Sequence, residues 1–138
     1  MNRQKIVMNF SLPPSLEDLE VIAQEAMDSL PQELLEHCEK LSLMIEDFPD
    51  ETLETELDLD DPYDLIAFYR SGHQISPGVQ SKVANDDDIL IIFRRPLLDM
   101  WCESGEDINT LMRHVMIEEL GQNFEFSEED IEDMVGRA

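Results

Sequence analysis

Basic residues are scarce in this chain. Nine Lys and Arg stand against 33 Asp and Glu, for a formal charge of −24. A surface so poor in cations excludes the patches that neutralise a nucleic-acid backbone, and it excludes attraction to anionic membrane surfaces. Long apolar runs are missing too: nothing approaches the roughly 18 consecutive apolar residues of a membrane span. The stretch Met1–Pro14 has two early cations but a poor apolar region, so no signal peptide is expected and a cytoplasmic location is the expectation. Cysteine occurs only as Cys38 and Cys102, a spacing that matches no metal motif and builds no disulfide framework. Both are expected to be reduced and partly buried.

What is present supports one domain over residues 1–138, since 42% hydrophobic residues suffice for an ordinary core. The acidic excess reads as a soluble, self-repelling surface. It also suits a cation, a basic peptide or protein partner, or mimicry of a nucleic acid.

Three segments share a start signal, a Ser followed three residues later by an Asp: Ser15–Asp18, Ser104–Asp107 and Ser127–Asp130. Each resembles a capping box and predicts a helix start. After Ser15, Leu19, Ile22, Ala23, Ala26, Met27 and Leu30 form a helical stripe. Pro31 stops that helix and opens a second through Leu34, Leu35 and Cys38. Leu41–Ile45 reads as a strand. Residues Glu46–Asp64, acidic and without Lys or Arg, read as a solvated loop. Leu65–Tyr69, closed by Ser71-Gly72, reads as a strand and turn, and His73–Asp88 as a loop. Ile89–Phe93 is short, continuous and β-branched, the strongest strand of the chain. Arg94-Arg95-Pro96 ends it, and Leu97–Trp101 reads as a helical turn. The last helices run from Glu106 to about Phe124 and from Glu128 to about Val135. The pattern predicts an α+β fold, with helices packed on one small sheet.

The helix over 106–124 is unusual. On a wheel of about 100° per residue, Ile108, Leu111, Met112 and Val115 form one apolar face, which continues into Glu118, Glu119 and Gln122. Ile117, Leu120 and Phe124 lie opposite. A helix apolar on two sides belongs inside a protein. Its polar positions then face a cleft or find partners, because an unpaired buried carboxylate is costly. The alternatives are a core face that twists midway, leaving these residues solvated, or a polar patch at the floor of a groove beside Ile89–Phe93. His114 lies one turn before Glu118 but away from the Glu119 side, and reads as an ordinary surface or capping histidine. His37 and His73 have no supporting spacing.

Two motifs together are similar to a small zincin-like metallopeptidase family found in bacteria, a minimal version of the zincin fold. They are Phe93-Arg94-Arg95-Pro96-Leu97-Leu98, after the short strand Leu65–Tyr69, and the helix Glu118-Glu119-Leu120-Gly121-Gln122-Asn123-Phe124-Glu125-Phe126-Ser127-Glu128. The family helix reads approximately H-E-x-G-H-H-F-G-x-S-D, and Glu119, Gly121, Phe124 and Ser127 match it. The resemblance implies an ancestral zinc-dependent peptide hydrolase with Glu119 as the catalytic base. The places of the two zinc-binding histidines and of the acidic third ligand hold Glu118, Gln122 and Glu128, expected to line the old metal site. The family glycine after the second ligand is Glu125.

The substitutions fall on the chemistry. A zincin binds zinc through three ligands and a water, lowers the pKa of that water to about 7, and lets the glutamate take its proton. Gln122 offers only a neutral amide oxygen, and Glu118, Gln122 and Glu128 would make an all-oxygen set. Such sets suit magnesium, calcium or manganese better than zinc. The sequence therefore predicts a degenerate site with no cofactor, at most weak hard-cation binding and little or no peptidase activity. The alternative is a non-catalytic acidic module for a basic partner.

Overall fold

The strongest strand of the sequence becomes the centre of the fold. The computed structural model describes residues 13–72 and 88–136. Among them are six α-helices, α1 (Leu16–Asp28), α2 (Gln32–Leu35), α3 (Glu51–Leu57), α4 (Arg94–Ser104), α5 (Ile108–Asn123) and α6 (Glu128–Gly136), and three strands, β1 (Leu41–Glu46), β2 (Ala67–Arg70) and β3 (Asp88–Phe93). The sheet order is β1-β3-β2, with β1 parallel and β2 antiparallel to β3. The class is α+β, with a mixed sheet. Among the described residues no helix is long and apolar enough to cross a membrane.

Strand alternation divides the core. Leu90 and Ile92 of β3 point to one face with Ala67, meeting Leu19, Ala23 and Ala26 of α1 and Met112, Met116 and Leu120 of α5. Ile89, Ile91 and Phe93 point to the other, with Phe68 and with Leu53 of α3. All five residues from Ile89 to Phe93 are buried, which is why they read as a continuous apolar run rather than an alternating one.

The start signals met different fates. Ser15 forms a complete capping box: its hydroxyl accepts from Asp18 N and its own N–H donates to the Asp18 carboxylate, both at 3.0 Å. Ser127 Oγ accepts from Asp130 N at 3.0 Å and opens α6. Ser104 opens nothing. It is the last residue of α4, followed by Gly105 in the left-handed region (φ 72°), and Asp107 caps α5 instead. The Ser-x-x-Asp spacing there spans the end of one helix and the start of the next.

Three expectations are corrected. Residues Glu46–Asp64 are not a solvated loop. Asp50 accepts from Leu53 N at 2.8 Å and caps α3, whose Leu53 and Leu57 sit one turn apart beneath the sheet. A 3₁₀ turn follows at Pro62–Asp64. The turn expected at Leu97–Trp101 is an eleven-residue helix beginning at Arg94. Pro96 falls in its first turn, where the missing N–H has no intrahelical partner to lose. The second helix, α2, is a single turn that stops before Cys38. The loop expected over His73–Asp88 lies outside the described residues, apart from Asp88, which opens β3.

The Phe-Arg-Arg-Pro-Leu-Leu motif proves to be scaffold. Phe93, Pro96, Leu97 and Leu98 are buried. Arg94 Nε donates to Pro14 O at 2.7 Å and its Nη1 reaches Asp47 at 3.2 Å, tying the start of α1 and the end of β1 to α4. Arg95 N donates to Asp47 O, and its guanidinium lies 5.6 Å from the Phe48 ring centre.

Candidate functional site

Helix α5 is buried along most of its length: Ile108, Leu111, Met112, Val115, Met116, Ile117, Leu120 and Gly121 are all covered. A helix placed this deep exposes polar side chains only where a neighbour stands back. Here the neighbour is the outer edge of β2. A cleft of about 500 Å³ opens between the chain entering β2 (Asp64–Ala67), the end of α4 (Met100, Ser104) and α5. Its α5 wall carries Leu111, His114, Val115, Glu118, Glu119 and Gln122.

The expected groove therefore exists, but beside β2 rather than β3, because β3 is covered on both faces and flanked on both edges. Glu118 and Gln122 are exposed in the cleft and Glu119 is half-buried. Glu128 is exposed at the first position of α6 and is not among the lining residues. His114 lines the same cleft one turn before Glu118, with Nδ1 3.8 Å from the Glu106 carboxylate. Positions 114, 118 and 122 repeat at the spacing that aligns side chains on one helix face. Asp64, Met100, Ser104 and Glu106 reach the cleft only through tertiary packing, and no local sequence signal marks them.

Glu119 is held in place. Its Oε2 accepts from the main-chain N–H of Tyr69 at 3.0 Å and from Asn123 Nδ2 at 3.0 Å. Asn123 Nδ2 also lies 2.8 Å from the Glu119 carbonyl, so the amide group is anchored on its own helix. Burial pushes the Glu119 carboxyl above its ordinary value, while the two donors pull it back down.

The bond to Tyr69 follows from strand geometry. Phe93 N donates to Ile66 O. Antiparallel pairing alternates, so Phe68 and Arg70 also face β3, while Ala67 and Tyr69 turn their backbone groups outward. Glu119 caps one of those outward amides.

Behind the cleft, Tyr69 organises a second cluster. Its hydroxyl donates to Asp88 Oδ2 at 3.1 Å, and Asp88 Oδ1 accepts from Gly72 N at 2.8 Å. Burial and the Asp88 bond push the Tyr69 hydroxyl well above its ordinary value. Burial and the Asp88 charge push the Cys38 thiol up to about 11, and its Sγ donates to Leu34 O. A thiol so held stays protonated and is no nucleophile at neutral pH. The Tyr69 ring meets Phe124 edge-on at 5.3 Å, and Phe124 meets His37 at 5.0 Å.

The motif residues at the end of α5 also have structural reasons. A Cβ on Gly121 would lie 2.7 Å from Ile131 Cγ1, so only glycine lets α6 pack this close. The helix ends in a Schellman motif: Phe126 N donates to Gly121 O and Glu125 N to Gln122 O. The left-handed position of that motif, φ 66°, is filled by Glu125.

The donor set does not fit zinc. It offers a carboxylate and an amide where two imidazoles would serve, the third position, Glu128, lies outside the cleft, and the remaining glutamate is engaged by Tyr69 and Asn123. Among the described residues no three His, Cys, Asp or Glu side chains are grouped to hold a metal ion.

A search of curated proteins finds no match to this chain. A family model, that of the zincin-like metallopeptidases, matches residues 38–137, from the end of the first helical region through α6. This chain belongs to the zincin-like metallopeptidase family.

Proposed function

We propose that this chain is a family member that has lost zinc-dependent peptide hydrolysis and keeps the cleft as a binding site for a basic peptide or protein. The observation that carries the first half is Glu119. The glutamate at the position of the base accepts from the Tyr69 amide and from Asn123, and no imidazole stands beside it at Glu118 or Gln122.

Magnitudes support the loss. Free water has a pKa near 15.7, so an ordinary carboxylate must work across roughly 11 units, or about 15 kcal/mol, to make hydroxide. Zinc reduces that gap to about 3 units by bringing bound water to about 7. The raised carboxyl of Glu119 closes only a small part of what the metal would supply.

The second half rests on the charge of the cleft. Asp64, Glu106, Glu118 and Glu119 line it, and among the described residues no Lys or Arg does. Such a surface attracts cationic side chains and repels anionic ones, an effect that salt weakens.

The test loads the purified protein with zinc, manganese or magnesium, measures bound metal, and follows cleavage of an unstructured protein substrate. The expected result is no stoichiometric metal and no cleavage. Stoichiometric metal with hydrolysis that disappears in Glu119→Gln would overturn the reading. For the partner, capture of basic proteins should fall sharply between low and high salt. Capture indifferent to salt would count against it.

A further inference from the structure

Two strands bound the sheet, and β1 lies at the edge away from the cleft. Asp88 N donates to Lys40 O at 3.1 Å, which sets the phase of the parallel ladder. Ser42, Met44 and Glu46 therefore turn their backbone groups to β3, and Leu41, Leu43 and Ile45 turn theirs outward. Leu41 N donates to Cys38 O at 3.2 Å. Both backbone groups of Leu43 and Ile45, and the Leu41 carbonyl, have no partner among the described residues. All six residues of β1 stay half-buried, although Leu41, Leu43 and Ile45 pack on one face of the sheet and Met44 on the other. Sheet edges are commonly guarded by Pro, by bulges or by charges within the strand. From Leu41 to Ile45 this strand has none of the three. Its charges sit at the two ends and differ in sign: exposed Lys40 precedes the strand and Glu46 closes it. Lys40 forms no ion pair among the described residues.

We propose that the β1 edge is the interface for a second copy of this chain, paired antiparallel about a two-fold axis at Leu43. In that register Lys40 stands opposite Glu46 of the second copy, Leu41 opposite Ile45, and Ser42 opposite Met44. The two-fold repeats each pair. Each Leu43 N–H donates to the other copy's Leu43 carbonyl, and each Ile45 N–H to the other copy's Leu41 carbonyl. An in-register parallel copy would set Lys40 beside Lys40 and Glu46 beside Glu46, so charge selects the antiparallel arrangement. The joined sheet runs β2-β3-β1-β1-β3-β2, which leaves both clefts at its outer ends.

The formal charge of −24 on each chain opposes association. At about 0.15 M salt the Debye length is about 8 Å, so distant charges are damped while a pair in contact still acts. A short edge working against this repulsion should give a Kd on the order of 100 μM.

The test is a charge exchange read by sedimentation of the full chain at concentrations spanning that Kd. Lys40→Glu places two carboxylates at each end of the interface, and Glu46→Lys places two ammonium groups there. Each variant alone should associate about tenfold more weakly than the natural chain. An equal mixture of the two should associate as the natural chain does, because it restores both opposite pairs and carries the same total charge. Hydrogen exchange on the natural chain reads the backbone directly and does not depend on either variant folding. The Leu43 and Ile45 amides should gain protection as concentration rises, while those of Ser42 and Met44, bonded to β3, stay unchanged. Three results would overturn the proposal: a chain that stays monomeric across the range, a mixture no tighter than its components, or Leu43 and Ile45 amides protected equally at every dilution. The last would mean that this chain covers its own edge.

Discussion

The two sides of α5 have kept different things. On the side toward α6, Gly121 stands 2.7 Å from Ile131 measured from where its Cβ would be, and Leu120 and Ile117 are fully buried. On the side toward the cleft, Glu118 and Gln122 are exposed. Three of the residues that match the family helix have packing or capping work: Gly121 against Ile131, Phe124 against Tyr69 and His37, and Ser127 at the start of α6. The fold is therefore held by its packing, and a metal is not needed to explain any of the contacts around α5.

The comparison predicts that a metal site can be built on one side without touching the other. In Glu118→His with Gln122→His, two imidazoles would lie one turn apart on the cleft face, the spacing of a zinc helix. The double variant should take up zinc with a Kd near 1 μM, about 8 kcal/mol of binding free energy. Its metal-free melting temperature should stay within a degree or two. Zinc titration followed by calorimetry checks the first expectation and thermal unfolding the second. A large loss of stability without metal would mean that the cleft side also carries the fold.

On the packing side the effect should be purely structural. Gly121→Ala gains about 1 kcal/mol of helix propensity. The new methyl meets a buried, β-branched side chain that cannot swing away, and overpacking of this kind costs typically 1–3 kcal/mol. The net should be a destabilisation of about 1 kcal/mol. Combining it with Ile131→Ala should cost less than the sum of the two, since the second change removes the clash. Strict additivity in chemical denaturation would break this account.

The same division explains what was legible in the sequence. The β-branched run Ile89–Phe93 and the stripe after Ser15 carry their structure in their own spacing, and both appear where expected. Helix α3 is hidden in the sequence because seven residues with three carboxylates and two threonines offer only Leu53 and Leu57 as signal, and their role depends on a sheet face built elsewhere. Glu119 was visible as a candidate base through the resemblance. Its bond to Tyr69 was not, because that contact joins residues 50 positions apart and depends on which way an edge strand turns its amides. The wheel sets His114 away from Glu119, and the cleft is wide enough to include the residues at 114, 115, 118, 119 and 122.

The end of α5 belongs to neither side, and it carries a residual strain. Glu125 occupies the left-handed position of the Schellman motif, where a side chain costs about 1–2 kcal/mol relative to glycine. Glycine gives back part of that through its freer unfolded chain. Glu125→Gly should therefore stabilise the protein by about 1 kcal/mol, read as a higher urea midpoint with an unchanged slope. No gain would mean that the glutamate side chain has a compensating role at this turn.

The smallest effect concerns pH, and it lies where the two sides meet. Burial raises the folded Glu119 carboxyl above its ordinary value of 4.5, so charging this group is harder in the folded state than in the unfolded one. For an acid with a raised folded value, the relative stability is greatest when both states are protonated. It is lost as pH rises from the unfolded value through the folded one, and stays level above that. Glu119→Gln removes the titration while its amide oxygen can still accept from Tyr69 N. The stability of the natural chain relative to this variant should thus increase on acidification, within a window that begins above 4.5 and ends near it. Paired urea unfolding at several pH values measures the difference, and the partial exposure of the cleft keeps it small. A difference that grows with rising pH would mean that the bonds from Tyr69 and Asn123 outweigh burial, and that Glu119 is stabilised as a carboxylate after all.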